Sequence, residues 1–247
     1  MKKKNKAIYL LFLMPFVYFA TACFVVWLVK TSGIYPSGSD TMYHVYRGDY
    51  VYNAIKSGNW YPLYDPAWYN GVEILRYWSP FPAYVMAFCQ YLAGGSQFGA
   101  YLFYIGGVCF LGACVWPFIG RGFNRPYLGA FIGLLWFFMP NNLCAIFIEG
   151  NLARSLSMIF LPVFIYSVYK YLYNHKLRYI PLMVFTFLLM ELCHLGYAGM
   201  VAIAVIIYGI VYMIQKGRKK AVLDVVISMI FGFMLLGIWL VASLRGG

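Results

Sequence analysis

Charge is what this sequence has least of. Charged residues make up 11% of its 247 positions, and only seven of them are acidic. A soluble domain carries about 25% charged residues, so this chain cannot cover a water-facing surface. No large soluble domain, internal repeat or low-complexity linker is visible. The six cysteines, Cys23, Cys89, Cys109, Cys114, Cys144 and Cys193, all sit in apolar runs, and none forms a CxxC pair. That excludes a disulfide framework and a cysteine zinc site, and leaves small buried hydrophobes. A Walker loop, GxSxG, HExxH and a dinucleotide fingerprint are all missing, and the chemistries tied to them go with them. The net charge is +12, yet no basic patch is interleaved with a folded soluble module, so no nucleic-acid partner is expected.

What the chain has in abundance is hydrophobic sequence: 63% of residues, with 21% aromatic and a mean hydropathy of +0.72. This is the composition of an all-α integral membrane protein with broad interfacial zones. The single exception is Ser32 to Pro80. It holds four of the acids, Asp40, Asp49, Asp65 and Glu73, with His44, Arg47, Lys56 and Arg76 and a run of aromatics that includes Trp60, Trp68, Tyr69 and Trp78.

Membrane-length segments follow one another along the chain. MKKKNK reads as a cytoplasmic anchor ahead of a span from Ala7 to Val29, and the apolar run continues past the signal-like Ala20-Thr21-Ala22, so the segment is uncleaved. Phe98–Ile119, Tyr127–Ile148 and Leu152–Tyr173 are spans. Ile180–Ile214 is long enough for two short spans turning near Gly196, and Val222–Ser243 is the last. Phe81–Leu92 is too short to cross and reads as interfacial or re-entrant. With that segment on one side, Met1–Lys6, Arg121–Arg125, Lys170–Arg178 and Lys216–Lys220 all face the cytoplasm, and they contain thirteen of the nineteen Lys and Arg. The positive-inside rule prefers this arrangement. It gives about seven spans, a cytoplasmic N-terminus and one polytopic domain over residues 1–247, with a large first outer loop at 31–97 containing juxtamembrane helices. The chain stops after an odd-numbered span, which reads as the N-terminal part of a longer protein.

The topology brings Asp40 and Glu149 to the same outer side. Carboxylates beside apolar spans are costly unless they pair, bind metal or face water. Two converging ones can hold a divalent cation or act as base toward a hydroxyl. Plainer roles compete: Asp40 as a helix N-cap, and Glu149 as a turn residue paired with Arg154. Ser39-Asp40 predicts a helix start and Ser57-Gly58-Asn59 its stop. On that helix Asp40, His44 and Arg47 share one face. Arg47, Arg76 and Arg154 can grip a phosphate through bidentate bonds or simply pair with acids. His194 is either a satisfied interior histidine or a phosphate contact.

These motifs, taken in order, carry a resemblance. Gly38-Ser39-Asp40-Thr41-Met42-Tyr43-His44-Val45-Tyr46-Arg47 leads to Ile55-Lys56-Ser57-Gly58-Asn59-Trp60-Tyr61-Pro62. Asn70-Gly71, Tyr77-Trp78-Ser79-Pro80-Phe81-Pro82, Glu149-Gly150-Asn151-Leu152-Ala153-Arg154 and Cys193-His194-Leu195 follow. The chain resembles the polytopic GT-C glycosyltransferase superfamily, and most closely the bacterial membrane family labelled 6-pyruvoyl-tetrahydropterin-synthase-related, with YfhO-like kin. The resemblance implies a sugar donor on a polyprenyl phosphate, used at the outer face of the plasma membrane. It implies Asp40 as base or ligand of a divalent cation, Glu149 as second acid, and His44, Arg47, Arg154 and His194 as substrate contacts. The paired-acid motif of many GT-C members is absent around Asp40, so no metal ligand set is assigned. Pterin synthase activity itself is not expected. That soluble zinc enzyme needs a histidine cluster, and the topology separates His175 from His44 and His194. The rival reading is a non-catalytic membrane transport component or a degenerate scaffold of cell-envelope polymer assembly. The enzyme reading requires Asp40, Glu149 and Arg154 to line one outward cavity, with His194 at its rim and the aromatics from Trp60 to Trp78 as a wall.

Overall fold

The computed structural model describes the backbone of residues 2–36, 38–68 and 70–245, with side chains from residue 12 onward. The basic side chains of MKKKNK, and Tyr69 among the aromatics, lie outside the described residues. Regular structure among the described residues is all helical: α1 (Lys2–Ser32), α2 (Thr41–Lys56), α3 (Ile74–Tyr77), α4 (Phe81–Leu92), α5 (Gln97–Gly122), α6 (Pro126–Trp136), α7 (Pro140–Leu143), α8 (Leu152–Asn174), α9 (Tyr179–Cys193), α10 (Leu195–Lys216), α11 (Lys219–Leu235) and α12 (Gly237–Leu244). A π-helical turn, Cys144–Ile148, joins α7 to the Glu149 turn. The chain is therefore an all-α membrane protein. Among the described residues five helical stretches are long and apolar enough to cross a bilayer, six if α11 and α12, bent by 60°, count as one. The apolar α9 has 15 residues, fewer than the ~20 a straight span uses.

Local chemistry explains the boundaries. Ser96 caps α5, its Oγ accepting from Gly99 N–H at 3.0 Å, and Pro126 opens α6, where a missing N–H costs nothing. Gly217, at φ +66°, closes α10. Tyr127–Ile148, which the sequence reads as one span, falls in a single candidate span, Pro126–Ile148, with a turn inside it after Trp136. Pro140 cannot donate to the helix and pushes Met139 to ψ 125°. The Asn142 side chain then donates to the Trp136 carbonyl at 2.7 Å, satisfying a group that the break leaves open.

The chain divides into two compact units, Met1–Pro62 with Phe81–Ile159, and Leu63–Pro80 with Phe160–Gly247. In the first, α1, α4 and α6 pack on α5, and α2 packs on α4. Small residues permit the close approach that apolar helices need when no water drives them together. A Cβ on Gly120 would stand 2.7 Å from the Gly129 Cα, and one on Gly48 would stand 2.6 Å from the Met86 Cβ. Fully buried Tyr18 donates to the Ala130 carbonyl at 2.8 Å. In the second unit, Phe164, Met183, Phe187, Met190, Val205 and Met229 anchor one core across α8 to α11. There the stretch 63–80 docks on helix ends. Ser79 Oγ donates to the Glu191 carbonyl at 3.0 Å, and Trp239 Nε1 to the Leu75 carbonyl at 2.8 Å. These contacts gather the end of α9 and the body of α12 on the side of that loop. The Lys216–Lys220 turn sits at the other end of α10.

Candidate functional site

The first unit brings the two acids of interest to one backbone junction. Asp40 N–H donates to the Glu149 carbonyl at 3.0 Å, and Ser39 Oγ donates to the same oxygen at 3.0 Å. The junction is built on two glycines. Gly150 has φ +67°, and a Cβ there would strike the Thr41 hydroxyl and stand 2.6 Å from the Thr41 backbone nitrogen. A Cβ on Gly38 would stand 2.6 Å from the Gly150 Cα. Thr41 is 1% exposed, and its Oγ1 has no hydrogen-bond partner among the described residues. The start of α2 thus presses directly against the turn that precedes α8.

Asp40 occupies the N-cap position of α2, where its carbonyl accepts His44 N–H at 3.0 Å, but its carboxylate makes no capping bond. No ion pair or side-chain hydrogen bond engages it among the described residues. The capping role that competes with a chemical one is therefore not taken up, although α2 begins and ends where Ser39-Asp40 and Ser57-Gly58 predict.

Glu149 is differently placed. Its carboxylate takes a bidentate pair from Arg154, at 2.6 Å from Nη1 and 3.1 Å from Nη2, and the Cys144 thiol lies 3.4 Å from its Oε1. Arg154 N–H donates to Asn151 Oδ1 at 2.9 Å, so Asn151 caps α8 and puts a cation in its first turn. A cation there opposes the helix dipole, and Glu149 offsets it. The Glu149–Arg154 pair is partly exposed, so it orients more than it stabilises.

Along the predicted face of α2 the side chains run inward. Asp40 and His44 are half-buried. Arg47 is 2% exposed, with its guanidinium 5.3 Å from the Tyr43 ring. Burial lowers the Arg47 pKa and Tyr43 acts the other way, yet a guanidinium remains charged throughout the working range. Two residues on, Asp49 Oδ1 accepts from Gln90 Nε2 at 2.6 Å, tying α2 to α4.

His194 belongs to the second unit. It caps α10, its Nδ1 accepting Tyr197 N–H at 3.0 Å from an extended backbone. That bond assigns the ring proton to Nε2. Glu191, one turn earlier, is 2% exposed, and its Oε2 lacks a hydrogen-bond partner among the described residues. The stretch 60–78 divides between the two units after Pro62.

No group of three or more His, Cys, Asp or Glu positioned to hold a metal occurs among the described residues. Glu149 already faces a guanidinium, which competes with any cation for its oxygens. The described residues do not fit a divalent-ion site. Sequence reasoning did not pick out Gly38, Thr41 or Cys144 as neighbours of the acids. The one usable signal was Gly150 directly after Glu149, a residue that tolerates the left-handed turn the junction needs.

No curated protein and no solved structure matches the chain. A family model described as "6-pyruvoyl-tetrahydropterin synthase related domain; membrane protein" matches residues 75–247, which include Glu149, Arg154 and His194 and stop short of Asp40. On a match over more than two thirds of its length, the chain belongs to the 6-pyruvoyl-tetrahydropterin-synthase-related family of membrane proteins.

Proposed function

We propose that the chain is a GT-C-like glycosyltransferase unit of the plasma membrane, taking sugar from a polyprenyl-phosphate donor at the outer face. The observation that carries this reading is Asp40: an unengaged, half-buried carboxylate held by its own backbone against the Glu149 turn. In the transfer step the acceptor hydroxyl attacks the anomeric carbon, its proton passes to Asp40, and the sugar–phosphate bond breaks with the electron pair leaving on the polyprenyl phosphate. A base within hydrogen-bond reach of that hydroxyl is what the step requires. His44, on the same face as Asp40, is the substrate contact best placed to meet the acceptor. Arg154 is committed to Glu149 through both Nη atoms, so it orients Glu149 rather than gripping donor phosphate. Pterin synthase chemistry is not part of this proposal.

The test is reconstitution of the complete protein in liposomes with a radiolabelled polyprenyl-phosphate-linked sugar. Label moving to a water-soluble or lipid acceptor is the expected result, and a donor that survives intact in the presence of cell-envelope acceptors overturns the reading. One observation favours the alternative, a non-catalytic transport or scaffold component: the bidentate closure of Glu149 onto Arg154, which removes the second acid from solution chemistry.

The outer-face assignment rests on charge. The junction sits at the end of α8 away from Lys170–Arg178, and α5 runs from the α4 side to the Arg121–Arg125 turn. In an otherwise cysteine-free background, Asn124→Cys is expected to resist an impermeant maleimide in intact cells and to react once they are permeabilised. Labelling of intact cells reverses the topology.

A further inference from the structure

Between α1, α4 and α5 the first unit opens an apolar groove of about 840 Å³, within the ~300–1,000 Å³ of ordinary ligand clefts. Its walls include Phe19 and Val26 from α1, Phe88 and Leu92 from α4, and Leu102 and Phe110 from α5. One charged residue lines it, Lys30. Lys30 sits in the last turn of α1, is exposed, and makes no ion pair or side-chain hydrogen bond among the described residues. It is one of the few cations of this chain outside the four basic clusters. Ser96, the cap of α5, lines the groove as well, so the positive end of that helix dipole adds to the same electropositive region.

The groove has the length of one leaflet. Phe19 and Lys30 are eleven residues apart on α1, or about 16 Å at 1.5 Å per residue, against about 15 Å for half of a 30 Å hydrocarbon core. Phe19 and Phe110 meet edge to face with ring centroids 5.9 Å apart, both lining the groove, far along α1 from Lys30. Glycine keeps it open: a Cβ on Gly107 would meet nothing within 4 Å.

We infer that this groove is a specific site for one anionic glycerophospholipid, its phosphate on Lys30 and one acyl chain lying between Phe88 and Phe110. An unpartnered cation next to an apolar channel one leaflet deep matches a molecule with an anionic head and a tail of that length. A polyprenyl chain is several times too long to be enclosed, and a zwitterionic phospholipid brings a cation of its own to Lys30. The site is independent of sugar transfer, since it is read by binding alone.

The experiment is native mass spectrometry of the delipidated protein titrated with dioleoyl-phosphatidylglycerol or dioleoyl-phosphatidylcholine. One phosphatidylglycerol is expected to bind with preference over phosphatidylcholine. Lys30→Gln should weaken it about fivefold, the share of one juxtamembrane cation, and abolish the preference. A side chain at Gly107 starts into the open groove, where its Cβ meets nothing within 4 Å, so the lipid-free melting temperature of Gly107→Leu should match the parent while binding of both lipids is lost. Leu111→Trp, on an exposed groove-lining position, gives a second block. Equal retention of the two lipids, an unaffected Lys30→Gln protein, or a folded Gly107→Leu or Leu111→Trp protein that still holds phosphatidylglycerol overturns the assignment. So does tighter binding of polyprenyl phosphate in the same titration.

Discussion

Asp40→Asn is expected to lower sugar transfer by about 10²–10⁴-fold, the usual worth of a general base, and to leave the protein folded. The change is nearly isosteric. It removes the basic oxygen and the charge but keeps the backbone N–H that donates to the Glu149 carbonyl. Because the Asp40 carboxylate makes no capping bond to α2, nothing structural is lost beyond its interaction with the helix dipole, about 0.3–1 kcal/mol. Asparagine is itself a good N-cap. The loss should fall on kcat with little change in KM, since a base acts in the transition state and not in binding. Glu149→Gln is the instructive contrast. It strips the charge from a bidentate pair and leaves Arg154 partly buried beside a neutral amide, so its loss of rate comes with a loss of stability. Comparing thermal unfolding of the two variants in the same detergent separates chemistry from architecture. Full transfer by Asp40→Asn supports the scaffold reading instead.

The local frame around Asp40 was legible in the sequence. Ser39-Asp40 and Ser57-Gly58 bracket α2 to within a residue, because a helix start and stop are local chemistry. Counting spans and basic clusters put Asp40 and Glu149 on one side of the membrane, a global constraint requiring no side-chain detail, but left open whether the two turns meet. The bidentate geometry of Arg154 on Glu149 was one of two readings of an i, i+5 pair across a turn, and only the π-helical turn and the Asn151 cap select it. The span Tyr127–Ile148 was legible from hydropathy; the turn at 137–139 inside it, ahead of Pro140, is a local detail that hydropathy alone runs straight through. Arg47 shows a different limit. A helical face is legible from spacing, but how deep that face sinks depends on α4 packing against it, and the buried guanidinium over Tyr43 is a tertiary outcome. His194 shows the same limit. A histidine at a span end looks like a ligand contact, and here it caps α10 through Nδ1. Sequence spacing says which groups meet along a helix; which of them are already spent on the fold is decided by neighbours far away in the chain.

Gly150→Ala is expected to cause the largest loss of stability of any single methyl added to this protein's outer turns, about 2–5 kcal/mol. Two effects add. A non-glycine residue in the left-handed region costs roughly 1–2 kcal/mol, and forcing a methyl into a filled space costs typically 1–3 kcal/mol. Here the space is occupied by the Thr41 hydroxyl, the Thr41 backbone nitrogen at 2.6 Å and the Gly38 Cα at 3.1 Å, and two of those three are main chain that cannot rotate away. Truncating Thr41 therefore gives no full rescue. Gly33→Ala isolates the first effect, because Gly33 has nearly the same backbone angle, φ +69°, with nothing within 4 Å of a Cβ. Thermal unfolding followed by circular dichroism in detergent should place the Gly33→Ala midpoint a few degrees below that of the native protein, by the backbone strain alone, and the Gly150→Ala midpoint well below both. The functional consequence is equally specific. Separating the start of α2 from the Glu149 turn breaks the Asp40 N–H bond to the Glu149 carbonyl, so sugar transfer should fall in Gly150→Ala at temperatures where the protein is still folded, and persist in Gly33→Ala. Equal stability of the two variants would mean that the two outer loops are joined by something other than this glycine contact.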